Sequence, residues 1–308
     1  MRTDAIVIRD FSTGSYISRN TTQTNTPRSI KALNTVQNGA GIKLGISYNT
    51  LTDPTYGIRL INVVAASSGT NKVTIDNNLI TLNGSATTRY GIWCENSNYT
   101  EVYCNNISRT TLPSSNYRLT IRGIQMNQCI NGKVRDNTTI KLGIGIKGAR
   151  SLLGTQFKCN TSNGNYNGFY FDAEYNSVQT ATSDQGTFGF PNDNQWYNVP
   201  SGYYMIDAAN GFQQTPKKNW YYRNSNGYIP TLSIPAWVGF NIALSSNPLG
   251  SGCSSCGTMS MSISSPTSSG LATSNSNELN IIMNGANNYN ELDTSFKYFE
   301  KQYAFTTL

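Results

Sequence analysis

Asp172 and Glu174 stand two residues apart in the run Phe169-Tyr170-Phe171-Asp172-Ala173-Glu174. On an extended strand, residues i and i+2 share a side about 7 Å apart, within the range at which paired carboxylates hydrolyse glycosidic bonds. They are the catalytic candidates if the chain is an enzyme. Histidine is absent from all 308 residues, which excludes Ser-His-Asp triads and histidine-bound zinc. Cys253-Ser254-Ser255-Cys256 has the spacing of a redox dithiol, half a zinc site or a small disulfide. A redox dithiol needs a βαβ context, and zinc needs a second such pair or histidines. Neither is present, so a Cys253–Cys256 disulfide is expected. Asp76 and Asp136 each precede an asparagine turn, without the converging oxygens that calcium requires. The expectation is no metal and no cofactor.

The elements that would position such groups come from two alternating repeats. One is Gly-(Ile/Phe)-x-apolar: Gly41-Ile42-Lys43-Leu44, Gly57-Ile58-Arg59-Leu60, Gly91-Ile92-Trp93-Cys94, Gly123-Ile124-Gln125-Met126, Gly143-Ile144-Gly145-Ile146 and Gly168-Phe169-Tyr170-Phe171. The other is an asparagine turn, at Asn49, Asn77, Asn105, Asn137 and Asn160, spaced by 28, 28, 32 and 23 residues. One glycine strand falls between successive turns. Each unit is too small to bury its own apolar side chains, whereas stacked units close a continuous core. Ile42, Ile58, Ile92, Ile124, Ile144 and Phe169 would stack inside, beside Leu44, Leu60, Cys94, Met126, Ile146 and Phe171. Asparagine tolerates left-handed backbone, so the five turn asparagines would form a ladder linked by side-chain amides.

The outward positions then fall into stripes. Lys43, Arg59, Trp93, Gln125, Gly145 and Tyr170 form one; Glu95, Asn127, Lys147 and Asp172 form the next. Trp93 and Tyr170 could stack on sugar rings while Arg59, Gln125, Asn127 and Lys147 bond hydroxyls or carboxylates, with Glu95 beside them. Glu95 and Asp172, three coils apart, would be about 14 Å from each other, too far to act as a pair.

These Gly-Ile-x-Leu and asparagine-turn coils, clearest over 40–180, resemble the right-handed parallel β-helix repeats of the pectin-lyase-like superfamily. The run from Asp184 to Trp196, the later Ser-rich segment and the Cys253/Cys256 pair are similar to large cell-surface β-helix proteins that some gram-negative bacteria export by type IX secretion. That resemblance implies an extracellular protein with a sorting domain beyond Leu308.

Composition agrees with an all-β chain: charged residues make up 13%, with 27 glycines and 19 tyrosines. The net charge of +7 favours anionic partners. No Lys/Arg run exceeds the pair Lys217-Lys218, so nucleic acid is not expected. No stretch approaches a membrane span, and the apolar run Ala5-Ile6-Val7-Ile8 is too short for an export signal. The domain reading is β-helix coils over 1–180, a β extension or cap over 181–244, a Ser/Gly-rich linker over 245–277 and a short helical tail over 278–308. Cys94, Cys104, Cys129 and Cys159 read as buried free thiols. The functional expectation is an exported surface protein that binds a polysaccharide or other glycan, anionic ones included, or acts as an adhesive stalk. The alternative is a polysaccharide hydrolase or lyase of the same fold.

Overall fold

The computed structural model describes residues 4–246 except 10–14, 23–27, 34–35, 38–43, 66–72, 85–87, 173–181 and the positions 211, 213, 215, 234–235 and 237–238, together with Cys253 and Cys256. The Ser/Gly-rich linker beyond Ser246, the expected terminal helix, Lys43 and Glu174 lie outside the described residues.

The chain winds repeatedly through three parallel sheets, giving a β-helix. The first sheet takes Asp4–Arg9, Arg28–Leu33, Tyr56–Ile61, Arg89–Glu95, Ile121–Asn127, Ile144–Ala149, Asn167–Asp172 and Ile206–Ala208. The second runs from Ser15–Ser18 through Leu44–Ser47, Val73–Asp76, Thr100–Tyr103 and Lys133–Arg135 to Gln156–Lys158. The third runs from Thr21–Thr22 to Gln195–Tyr197. Like residues stack inside: Ile30, Ile58, Ile92, Ile124, Ile146, Phe169 and Ile206 from the first sheet, and Ile17, Ile46, Ile75, Val102, Val134 and Phe157 from the second. All are buried, so the coils share one core.

Glycine fixes the first sheet at one place. A Cβ on Gly57, Gly91, Gly123 or Gly145 would lie 2.4, 2.7, 2.5 or 2.7 Å from the carbonyl oxygen of the corresponding glycine one coil on. No side chain fits there, which explains the glycine before Ile58, Ile92, Ile124 and Ile146. This corrects the expected register twice. The stacked dipeptide of the fifth coil is Gly145-Ile146, opposite Gly123-Ile124, so Ile144 sits opposite Arg122. Of the run Gly41-Ile42-Lys43-Leu44 only Leu44 is among the described residues, and it opens a second-sheet strand, while Ile30-Lys31-Ala32 holds the first-sheet place.

The corner between the second and third sheets carries a ladder of asparagines. Asn20, Asn49, Asn78, Asn105, Asn137 and Asn160 each donate both the backbone N–H and Nδ2 to Oδ1 of the next, ending at Asn194, over 2.8–3.2 Å. Each Nδ2 also reaches carbonyls; that of Asn78, for example, bonds Ile46 and Asp76. At Asn194 the ladder closes on Asn192 Oδ1 of the same coil. The expected ladder was right at Asn49, Asn105, Asn137 and Asn160, but Asn78 rather than Asn77 is the third rung. The left-handed residue is the one before the rung: Tyr48, Asn77, Cys104, Asp136 and Cys159, with φ between 53° and 57°. Left-handed backbone brings the following amide into the corner, and the bonds it makes there offset the strain.

Past Asp172 the regular coil yields to a closing layer. The strands Lys218–Tyr222 and Phe240–Leu244 pair in parallel, and Trp220 is fully buried against Phe169, Phe171, Trp196 and Phe240. The Gln185 side chain substitutes for a further second-sheet strand, accepting from Phe157 N–H and donating to Thr155 O. These large rings cover the apolar end that an unfinished solenoid would expose.

Asn78→Ala strips a partner from Asn49 and orphans buried carbonyls, so it is expected to cost about 3 kcal/mol. Asn77→Gly, at the left-handed position, is expected to change stability by less than about 1 kcal/mol. Denaturant midpoints of the two variants check the assignment.

Candidate functional site

The register sets which side chains meet on the outer face of the first sheet. One row reads Lys31, Arg59, Trp93, Gln125, Lys147, Tyr170 and Asp207, and the next contains Ile61, Glu95, Asn127, Ala149 and Asp172. Lys147 therefore belongs to the row expected to hold Gly145, one place over from the sequence reading, while Lys31 takes the place assigned to Lys43. The reason is the tandem Gly143-Ile144-Gly145-Ile146: either glycine satisfies the motif in sequence, but only Gly145 completes the column of close carbonyl contacts.

Toward the middle of the solenoid this face is an aromatic and cationic cluster. Tyr56, Tyr90 and Trp93 stack on one another at centroid distances of 4.9, 5.5 and 4.8 Å. The Arg59 guanidinium lies 4.3 Å from the Trp93 ring centre and 5.1 Å from that of Tyr56. Arg122 sits 5.1 Å from the Tyr90 ring centre and donates to Tyr90 Oη, Gln125 Oε1 and Leu119 O. Delocalised guanidinium groups over rings gain from the quadrupole with little loss of hydration. Arg59 Nε and Trp93 Nε1 nevertheless find no acceptor, although both atoms are shielded from solvent. Sequence reading missed Tyr56, Tyr90 and Arg122. The signal was present: each occupies the position just before the stacked glycine, in Tyr56-Gly57, Tyr90-Gly91 and Arg122-Gly123.

The carboxylates of the face meet cations. Glu95 lies 3.7 Å from Arg59 and Asp172 lies 3.0 Å from Lys147. Lys147 is only 2% exposed and Gln125 only 1%, so neither offers an open hydrogen-bonding surface. Asn127 and Tyr170 are buried as well. Burial, then Asp172 and Asp207, push the Tyr170 phenol up to about 12. Of the seven expected ligand-binding residues, Arg59, Trp93 and Glu95 are partly open and stand together; Gln125, Asn127, Lys147 and Tyr170 are packed into the wall.

The cysteines contradict the expected pairing. Cys253 bonds to Cys159 and Cys256 to Cys104, closing loops of 94 and 152 residues in separation. A Cys253–Cys256 bond is thereby excluded, and Cys104 and Cys159 are not free thiols. Both are left-handed corner residues, two coils apart with Asp136 between them, and Cys256 Sγ contacts Asp136 O at 3.2 Å. The CxxC spacing serves to span that interval along the outer corner. The Asp136 carboxylate and the Cys159 and Cys253 sulfurs lie within 4.8 Å of one another, but the bonded sulfurs provide no thiolate for a metal. Cys94 and Cys129 are free and fully buried; burial holds the Cys94 thiol well above its ordinary value and raises that of Cys129 to about 12. No helix among the described residues is long and apolar enough to cross a membrane.

No family model, no curated protein and no solved structure matches this chain.

Iodoacetamide at pH 8 is expected to label none of the six cysteines in the folded, unreduced protein, and Cys94 and Cys129 only after unfolding, because buried thiols are neither ionised nor reachable. Reduction is expected to add labels at Cys104, Cys159, Cys253 and Cys256, read by peptide mass spectrometry.

Proposed function

We propose that this chain is a non-catalytic, exported surface β-helix that binds a glycan, with a preference for acidic polymers, at the Arg59–Trp93–Glu95 cluster on the outer first-sheet face. The observation that carries the reading is the stack of Tyr56, Tyr90 and Trp93 with the Arg59 guanidinium over two of the rings, where Arg59, Trp93 and Glu95 stand together and partly open. The rings provide the apolar surface that the C–H faces of sugars pack against. A parallel sheet repeating every coil suits a linear polymer better than a compact ligand, and the net charge of +7 favours polyanions. Two long-range disulfides fit an oxidising, extracytoplasmic compartment. The resemblance of the coils to pectin-lyase-like repeats and of the later segments to type IX cargo points to the same surface setting. For the hydrolase or lyase alternative, Asp172 is held by Lys147 and its expected partner Glu174 lies outside the described residues, which leaves the enzyme reading without an observation in its favour.

Glycan-array binding by the purified chain tests the proposal. Trp93→Ala is expected to weaken binding about tenfold. Arg59→Gln should weaken acidic glycans more than neutral ones. Depolymerisation of pectin, alginate or glycosaminoglycans that disappears in Asp172→Ala would overturn the non-catalytic reading, and absence of binding to every glycan would overturn the ligand.

A further inference from the structure

A second surface feature lies away from the first-sheet face, at the end of the second sheet. The segment Gly186-Thr187-Phe188-Gly189-Phe190-Pro191 folds back on itself, with Thr187 N–H donating to Phe190 O over 2.8 Å and Phe190 N–H to Thr187 O over 3.1 Å. At its tip Phe188 is 63% exposed and Phe190 66%. A phenyl ring left in water forgoes the gain of burial, and two on one short turn make an apolar projection that packing within the chain does not explain.

The projection is held rigidly. Phe188 O accepts from Ser246 N–H and from the Ser245 and Ser246 hydroxyls. Gly186 has φ +76° and approaches so closely that a Cβ would lie 2.7 Å from Asn192 N. The turn therefore presents its rings at a fixed place, as expected of a binding element on a stiff scaffold.

Beside Phe190 is a cavity of about 460 Å³, lined also by Gln156, Lys158, Ser183, Asp184 and Pro191. That volume is within the range of small-molecule sites. Several lining groups keep bonding capacity after their internal bonds are made. Ser183 Oγ accepts from Gly154 N–H, leaving its O–H to donate. One N–H of Gln156 Nε2 goes to Asp184 O, leaving the second N–H as a donor and Oε1 as an acceptor, and one Asp184 carboxylate oxygen accepts from Asn219 N–H, leaving the other. The site combines an exposed ring, one hydroxyl donor, one amide donor, two acceptors and a lysine at the rim. A pyranose has the matching chemistry: an apolar C–H face and an edge of hydroxyls that each donate and accept.

We infer that this cavity binds a single sugar unit, with Phe190 stacked on the pyranose face and Gln156, Ser183 and Asp184 bonding its hydroxyls. The site is separate from the Arg59–Trp93 face and rests on its own groups. Its test is saturation-transfer NMR on the full chain with methyl glycosides of neutral, N-acetylated and uronic sugars. At least one glycoside is expected to bind the native protein and Trp93→Ala alike, with affinity reduced about tenfold in Phe190→Ala and in Gln156→Ala. Both positions are at the surface, and unchanged near-ultraviolet dichroism would establish that the variants fold. Binding that survives Phe190→Ala and Gln156→Ala, or no transfer to any methyl glycoside, overturns the inference. Loss in Trp93→Ala without loss in Phe190→Ala also overturns it while leaving the first-sheet proposal standing.

Discussion

A side-chain amide can bond the equivalent amide of the next coil only if successive coils share one rise and one phase. The asparagine ladder imposes that condition at one corner, with each Oδ1 receiving two N–H groups from the coil before it. The glycine column imposes it again on the first sheet, where carbonyl oxygens come too near for any Cβ. Two independent constraints on one register leave no room for the slippage to which parallel strands are otherwise prone. Because the ladder amides are buried, a break in it strands polar groups in the core, which makes the corner a site of specificity as well as stability.

Everything on the outside inherits that register. Arg59 lies over Tyr56, three residues earlier on its own strand, and over Trp93, its register partner on the next coil, and Glu95 in the next row of that coil reaches back to it. The corner residues before the rungs stack as regularly as the rungs do, so Cys104 and Cys159 stand two coils apart where one CxxC segment can span them. Cross-links of such long sequence separation stabilise chiefly by restricting the unfolded chain. The closing layer ends the repeat by imitation: Asn192 and Gln185 provide the acceptors and donors that another coil would have provided, and Trp220 with its neighbours covers the apolar end.

Much of this is legible in the residues, and the failures have identifiable causes. The stacked Gly-Ile motif and four of the seven ladder asparagines, Asn49, Asn105, Asn137 and Asn160, follow from sequence because each is a local demand repeated many times. Tandem repeats blur that signal: Gly143-Ile144-Gly145-Ile146 and Asp76-Asn77-Asn78 each satisfy the pattern in two frames, and only contacts with neighbouring coils choose between them. The same one-frame error moved Lys147 into the wrong row and hid its neighbourhood with Gln125 and Tyr170. The pairing of Cys253 and Cys256 was beyond reach, since neither residue has a local partner preference and their mates are 94 and 152 residues distant. Exposure was also invisible: alternation shows which residues face outward, but the tight packing of Gln125 and Lys147 depends on what the rest of the chain brings to that face. The Phe188/Phe190 turn gave no periodic signal at all.

Hydrogen exchange at the ladder corner tests the common register most directly. Corner turns lie at the edge of the coil and ordinarily exchange fast, whereas here the backbone N–H groups of Asn49, Asn78, Asn105 and Asn137 are bonded to the Oδ1 of the following rung. These four amides are expected to exchange only with global unfolding, as slowly as the core strands, and to do so together. Exchange as fast as that of the exposed segment around Ser114 and Ser115 would contradict the ladder, and with it the register on which the outer face depends.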